Sequence, residues 1–252
     1  MIKLSVVIIT FNEEKNIARC IESVKEIADE ILIVDSFSKD NTKSICESYG
    51  VRFKEHAFEG HIQQKNYAAS QAKNDYVLSL DADEALSDAL KESILNVKTN
   101  FTADGFEFNR LNNYCGTWIK HSGWYPDTKL RLWDRRKGRW GGENPHDKFI
   151  MEEGLVIKKL KGDLLHYSYY SVFDHIAQVN KFSEIGAQEA FRKGRKLSLI
   201  KIIIFPFWKF IKNYIFKAGF LDGYKGFVVC MITTHETFLK YVKIRELNKN
   251  NK

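Results

Sequence analysis

The sequence predicts an α/β fold in which a parallel sheet presents its functional groups along one edge. Two observations carry that expectation. Strand-like and helix-like patterns alternate through residues 1–100, and two apolar runs, Glu30–Asp35 and Tyr76–Asp81, end abruptly in an acid. Such alternation is the signature of βαβ units, and ligands of open α/β sheets bind beyond the carboxyl ends of the strands. A third feature sets the far end apart: residues 199–217 are apolar and aromatic yet interrupted by lysines.

Composition bounds the answer. A chain of 252 residues, 44% hydrophobic and 28% charged, can bury a sizeable core and is globular rather than disordered. Its formal net charge of +7 favours an acidic partner such as a nucleotide, a nucleic acid or an anionic lipid. Cys20, Cys46, Cys115 and Cys230 are scattered, without C-x-x-C spacing, and Cys20 and Cys46 fall on apolar helix faces as buried thiols do. The chain enters a strand at once, with no basic segment and cleavage site before it, so a cytoplasmic location is expected.

Each element has its own justification. Leu4–Thr10 is a continuous apolar run, as for a strand covered on both faces. Asn12-Glu13-Glu14 should open a helix whose apolar stripe is Ile17, Cys20, Ile21, Val24 and Ile27. After the Glu30–Asp35 strand, Asp40 suits an N-cap. A short strand at Val51–Lys54 and a helix from Gln63 to Ala72 lead to the Tyr76 strand. That strand runs into Asp81-Ala82-Asp83; were it to stay extended, both carboxylates would project to one side and suit a hard cation such as Mg2+ or Mn2+. Ser87 caps the next helix. From Gly105 the alternating runs Gly105–Arg110 and Thr128–Trp133 read as strands with one wetter face, separated and followed by a long aromatic, Gly-rich loop reaching Asp147. A helix spans about Ser171 to Lys193.

The tail has four lysines, which argue against a membrane-spanning helix, and Pro206 should kink or break it. Lys201, Lys209 and Lys212 fall on one side with aromatics and isoleucines opposite, the pattern of a helix lying in an anionic membrane interface. A dimer seam is the rival reading. A second helix, Gly226–Lys243, follows, and the end at Asn248–Lys252 should fray.

Taken together, LSVVIITFNEE at Leu4–Glu14, IVDSFSKDNT at Ile33–Thr42 and VLSLDADE at Val77–Glu84 resemble the nucleotide-sugar domain of the family-2 glycosyltransferases, of the GT-A fold. Gly123–Asp127, Lys129–Leu132, Asn144–Asp147 and Phe220–Gly223 look like the lipopolysaccharide core glucosyltransferases within it. The resemblance implies one domain over residues 1–195, with a nucleotide-binding half at 1–100 and an acceptor-binding half at 101–195. Residues 196–252 would be a membrane-associating tail. It implies further that Thr10, Phe11, Asn12 and Glu13 line the nucleotide pocket and that Asp35 meets the uracil. Asp81 would engage the ribose and share the metal with Asp83, the direct ligand, with His146 or His166 as a further candidate ligand. Lys65 would offset charge on the departing diphosphate. Asp147 stands where the subgroup usually has Glu and is the implied base, with Glu143 as the alternative.

The implied activity is inverting, metal-dependent transfer of one sugar from a UDP-sugar, glucose first, to a lipid-linked or lipopolysaccharide-core saccharide at the inner face of the cytoplasmic membrane. Absence of Q-x-x-R-W argues against polymer synthesis. Each residue has a plainer reading beside this one: Asp35 as the cap of its turn, His166 as a buried hydrogen-bonded histidine, Arg131 and Arg135 as ordinary surface arginines rather than a grip on an acidic acceptor, and Trp118, Trp124, Trp133 and Trp140 as core residues rather than sugar-stacking ones. The rival functions are synthesis of another cell-surface polysaccharide, a nucleotidyltransferase, which would want glycine after the first strand, and a nucleic-acid-binding protein, whose phosphates the acidic strand ends would repel.

Overall fold

The computed structural model describes residues 1–143 and 146–250, and of Glu143 and His146 the backbone alone. Two compact units divide the chain: residues 1–110 with 127–167, and residues 111–126 with 168–252.

In the first unit, β1 (Leu4–Thr10), α1 (Ile17–Val24), β2 (Glu30–Asp35), α2 (Thr42–Ser48), β3 (Arg52–Glu55), α3 (His61–Ser70) and β4 (Tyr76–Asp81) follow one another as the alternation predicts. β1 lies parallel between β2 and β4, and β2 pairs parallel with β3, giving the spatial order β3-β2-β1-β4. The order reverses between β1 and β4, which is where an open α/β sheet binds its ligand. Along β1, Leu4, Val6 and Ile8 point into one core with α1, while Val7 points into another beneath α3, so both faces are covered. Each such fully buried aliphatic contributes about 1.5–3 kcal/mol.

The antiparallel half follows: β5 (Glu84–Leu86), α4 (Asp88–Thr99), β6 (Gly105–Tyr114), β7 (Thr117–Ile119), β8 (Asp127–Asp134), β9 (Gly138–Glu143), β10 (His146–Met151) and β11 (Ile157–Tyr169). Ser87 caps α4 as expected, its hydroxyl accepting from the Leu90 amide at 3.3 Å. β8 joins β4 antiparallel and β6 joins β8, so the sheet continues past the parallel strands.

Three local expectations are corrected here. Helix α1 begins at Ile17 rather than Asn12, because Asn12 sits at φ 54° and the Glu13 amide donates instead to Thr42 Oγ1 across the gap to the β2 loop. Asn41 rather than Asp40 holds the N-cap position of α2 but makes no side-chain capping bond; the Asp40 carboxylate accepts from the Thr42 amide and hydroxyl. Within the stretch expected as a long loop, β9 and β10 form a hairpin that buries Trp140 and Phe149 against Trp133. The core reading of Trp133 and Trp140 holds.

In the second unit, the end of β6 pairs with β7. α5 (Val172–Arg192) opens on a capping box between Ser171 and Asp174. α6 (Leu199–Ile211) continues through Pro206 without breaking and leads by a π-type turn towards α7 (Gly223–Asn250). The Pro206 ring is buried on the protein side with Ile202 and Asn213, and that burial offsets part of the cost of the lost amide. Helix α7 is longer than expected and runs through the segment expected to fray up to Asn250. α5 and α7 share a small core of Ala187, Ala190 and Ile244. Gly226 has a reason: a Cβ there would meet the Gly219 carbonyl oxygen at 2.1 Å. Among the described residues no helix is long and apolar enough to cross a membrane.

Candidate active site

The candidate site grows from the shared edge of β1, β2 and β4. Register places Thr10 beside Asp35 and Ile9 beside Asp81, so the residues that end these strands are brought to one line. Thr10 is 5% exposed and its hydroxyl has no hydrogen-bond partner among the described residues. A buried hydroxyl left unpaired is costly unless a ligand completes it. Beyond Thr10 the chain turns outward. Phe11 is exposed, and the left-handed Asn12 accepts the Lys39 amide on its side-chain oxygen at 2.8 Å. This loop and the Ser36–Asn41 loop are thereby tied together.

Asp35 is buried, and its carboxylate accepts from both the amide and the hydroxyl of Ser38. The turn-capping role is the one its contacts display. Glu13, by contrast, sits among acids. Burial pushes its carboxyl up to about 7, reinforced by the charges of Asp83, Asp40 and Asp81 and opposed by a hydrogen bond from Asn16.

The D-x-D stretch does not stay extended. β4 ends at Asp81, Ala82-Asp83 turn, and the Glu84 carboxylate closes the turn by accepting the Asp81 amide at 2.9 Å. The two carboxylates therefore have separate partners. Asp81 accepts from Lys65 and, at 3.0 Å, from Arg131 Nη2. Burial alone would raise its carboxyl, but the Lys65 ammonium and Arg131 guanidinium together hold it well below the usual carboxylate range. Asp83 instead lies 3.1 Å from His166 Nε2, and its carbonyl accepts the Tyr167 amide at 2.9 Å.

Lys65 joins the edge to the hairpin. It is 3% exposed, and its ammonium reaches Asp147 at 2.8 Å and Asp81 at 3.1 Å, with the Trp140 ring 4.7 Å away. The next residue holds the hairpin on α3: the Asn66 side chain donates to the Trp140 carbonyl and accepts its amide. Asp147 thus stands in a fixed relation to Asp81 through one buried cation. The side chains of Glu143 and His146, expected as the alternative base and a metal ligand, lie outside the described residues.

Two participants were not singled out from sequence. Glu84 is 1% exposed and accepts from Arg131 Nη2 at 2.9 Å. Phe37, at φ 62° and 53% exposed, faces solvent from the β2 loop, where a bulky residue at positive φ is unusual. Arg131, for which an ordinary surface position was the plainer expectation, is buried instead, because two carboxylates from β4 and β5 take its charge inside. Arg135 stays with the sheet's other end, donating to the Ala69 and Ser70 carbonyls.

A divalent cation fits this donor set. Among the described residues no three His, Cys, Asp or Glu side chains form a closed metal site. Asp83 with His166 offers an open pair, and cations such as Mg2+ are held by one or two carboxylates together with substrate phosphates.

Residues 5–153 match the sequence profile of glycosyl transferase family 2. An uncharacterized glycosyltransferase of Rickettsia typhi, RT0209, is 32% identical, with 98% of this chain and 88% of that one covered. LpsC of Rhizobium meliloti, a lipopolysaccharide core biosynthesis glycosyltransferase, is 30% identical, covering 96% of this chain and 91% of its own. Among solved structures, residues 1–349 of S. aureus TarS share 16% identity over 99% of this chain and 92% of that one, at a TM-score of 0.46.

Proposed function

Because the chain belongs to glycosyl transferase family 2 and is a glycosyltransferase of GT-A fold, we propose that it transfers a single sugar, with inversion, from a UDP-sugar to a saccharide of the lipopolysaccharide-core or lipid-linked kind. The observation that carries this reading is the buried chain of charges Asp81–Lys65–Asp147, which ties the nucleotide edge of the sheet to a carboxylate on the hairpin. Similarity to LpsC supports the acceptor class. Glucose is the first donor to try.

The residues divide the work. Thr10, Phe11, Asn12 and Glu13 line the nucleotide, with Thr10 supplying its unpaired hydroxyl and Asp35 ordering the loop that faces it. Asp81 engages the ribose side. A Mg2+ or Mn2+ ion held by Asp83, with His166 beside it, would draw negative charge off the departing diphosphate. Asp147 accepts the proton of the acceptor hydroxyl as that oxygen attacks the anomeric carbon; the carbon–oxygen bond to UDP breaks, and its electron pair leaves with the diphosphate. Lys65 aims the Asp147 carboxylate, while its charge also faces the leaving group.

Helix α6 supplies the location. Ile200, Ile203, Ile204, Phe207 and Trp208 are all more than half exposed, with Lys201 and Lys212 beside them. So much exposed apolar surface next to cations suits the anionic inner face of the cytoplasmic membrane. Lys209, expected on the basic side, is instead half-buried along the protein-facing stripe, where burial lowers its ammonium.

The test is slow hydrolysis of a panel of UDP-sugars with Mg2+, Mn2+ or EDTA, alongside Asp83→Ala. Metal-dependent turnover of one donor, lost in the variant with folding intact, is the expected result. Equal turnover with EDTA, or in Asp83→Ala, would sink the metal-dependent mechanism.

A further inference from the structure

Beside the proposed base lies a cavity of about 410 Å³, walled by β8, the end of β6 and the β9–β10 hairpin. Its ionisable lining is unequal: Lys65, Arg110, Lys129, Arg131 and Lys148 face only Asp81 and Asp147. Counting also Glu84 and Asp127, which pair with these cations from the walls, leaves one positive charge in excess.

Arg131 supplies the second observation. It is 3% exposed and spends only Nη2, on Asp81 and Glu84. Its Nε and Nη1 are buried without a hydrogen-bond partner among the described residues. Unmade bonds of a buried charged donor cost about 1–3 kcal/mol or more, and each unpaired guanidinium N–H is a charge-assisted donor for a carboxylate or phosphate oxygen.

We propose that this cavity receives an anionic substituent of the saccharide acceptor, a phosphate or a carboxylate, on the unpaired N–H donors of Arg131 with Lys129 and Lys148 beside it. The inference rests on the reading of Asp147 as base, and deepens it. Asp147 lines the same cavity, so the molecule that enters must be the one whose hydroxyl is deprotonated. Most of the wall comes from β8, β6 and the hairpin, with Lys65 and Asp81 on the side shared with the donor, whereas Phe11 to Glu13 lie on the loop after β1. A charge received here holds the acceptor by a group other than the reacting hydroxyl. Lys129 and Arg131 both line the cavity from β8.

The experiment uses the full chain saturated with UDP and Mg2+, titrated with glucose, glucose 6-phosphate and glucuronate and followed by NMR. At least one charged sugar is expected to bind about tenfold more tightly than glucose, as charge-assisted contacts require. Which of the two binds identifies phosphate or carboxylate as the group received. Lys129→Gln with Lys148→Gln should remove most of that preference, and Arg131→Lys, which keeps the charge but loses the planar edge, should remove it in a protein that still folds. Equal affinity for charged and neutral sugars overturns the inference, as does binding that vanishes once UDP is saturating, since the anion would then be taking the diphosphate's place. Failure of UDP itself to bind would overturn the glycosyltransferase mechanism proposed above, a separately visible outcome.

Discussion

In the unit of residues 1–110 and 127–167, charge is hidden: Lys65, Glu84 and Arg131 are 3%, 1% and 3% exposed. In the unit of residues 111–126 and 168–252, apolar surface is displayed: Ile203, Phe207 and Phe216 are 70%, 67% and 70% exposed. Lysine, glutamate and arginine are almost never fully buried unless paired, and monomers seldom show large apolar patches. Each unit departs from the norm in its own direction, and each departure costs free energy in the isolated chain. What offsets it differs: ion pairs within the chain in the first case and, on the reading proposed above, a membrane surface in the second. Substitutions that reverse either departure separate the two.

The largest effect is expected in the charged network. Replacing one member leaves a partner buried and uncompensated, which costs about 3–5 kcal/mol. Glu84→Gln should therefore lower the urea midpoint sharply and abolish transfer, because it frees the Asp81–Asp83 turn and one arm of Arg131 together. A midpoint within about 0.5 kcal/mol of wild type, the range of an ordinary surface change, would mean the network is not structural.

That network shows where sequence reasoning stops. The strand-end acids Asp35 and Asp81 are legible because strand burial is a local pattern, written in uninterrupted apolar runs. The nucleotide edge follows from it. Arg131 is not legible: its carboxylate partners lie 50 and 47 residues away, and its own strand alternates like any half-wet strand. Lys65 meets Asp147 across 82 residues, through a hairpin whose Gly141-Gly142 carries no strand signal. Glu84 left one clue, its place three residues after Asp81, where a side chain can close a turn on the preceding amide. Pro206 misled for the opposite reason, since a local rule was overridden by packing that buries its ring.

The second effect belongs to α6. Ile203→Ser, Phe207→Ser and Phe216→Ser together remove apolar groups that would enter the headgroup boundary. If each gains about 1 kcal/mol there, less than full burial provides, partition into anionic vesicles should fall about 100-fold. Stability should hardly change, because these side chains already face solvent. Unaltered vesicle binding would remove α6 as the anchor. A fall in self-association instead, with no vesicle binding by wild type, would make the face a seam between copies of the chain.

The smallest effect is a pair of pH slopes of opposite sign, one from each unit. Glu13 in the first unit is raised to about 7, chiefly by burial. Between the unfolded value near 4.5 and about 7, the folded chain keeps a proton that the unfolded chain has lost, so its contribution to stability is present at low pH and disappears as pH rises. His175 in the second unit is 3% exposed, with Nδ1 at 3.2 Å from the Tyr114 hydroxyl, and burial lowers it to about 4. Its contribution runs the other way, present above about 6.5 and lost as pH falls towards 4, because there the unfolded chain takes up the proton first. Each slope should amount to roughly 1–2 kcal/mol once water penetration is allowed for. Urea unfolding from pH 4.5 to 7.5 reads both. The two windows overlap from about 4.5 to 6.5, so the slopes oppose each other in the wild type; Glu13→Gln should leave stability rising with pH there and His175→Phe should leave it falling. If Glu13→Gln leaves the profile unchanged, the carboxylate is solvated and ionised throughout, and the acidic edge of the sheet is wetter than its burial implies.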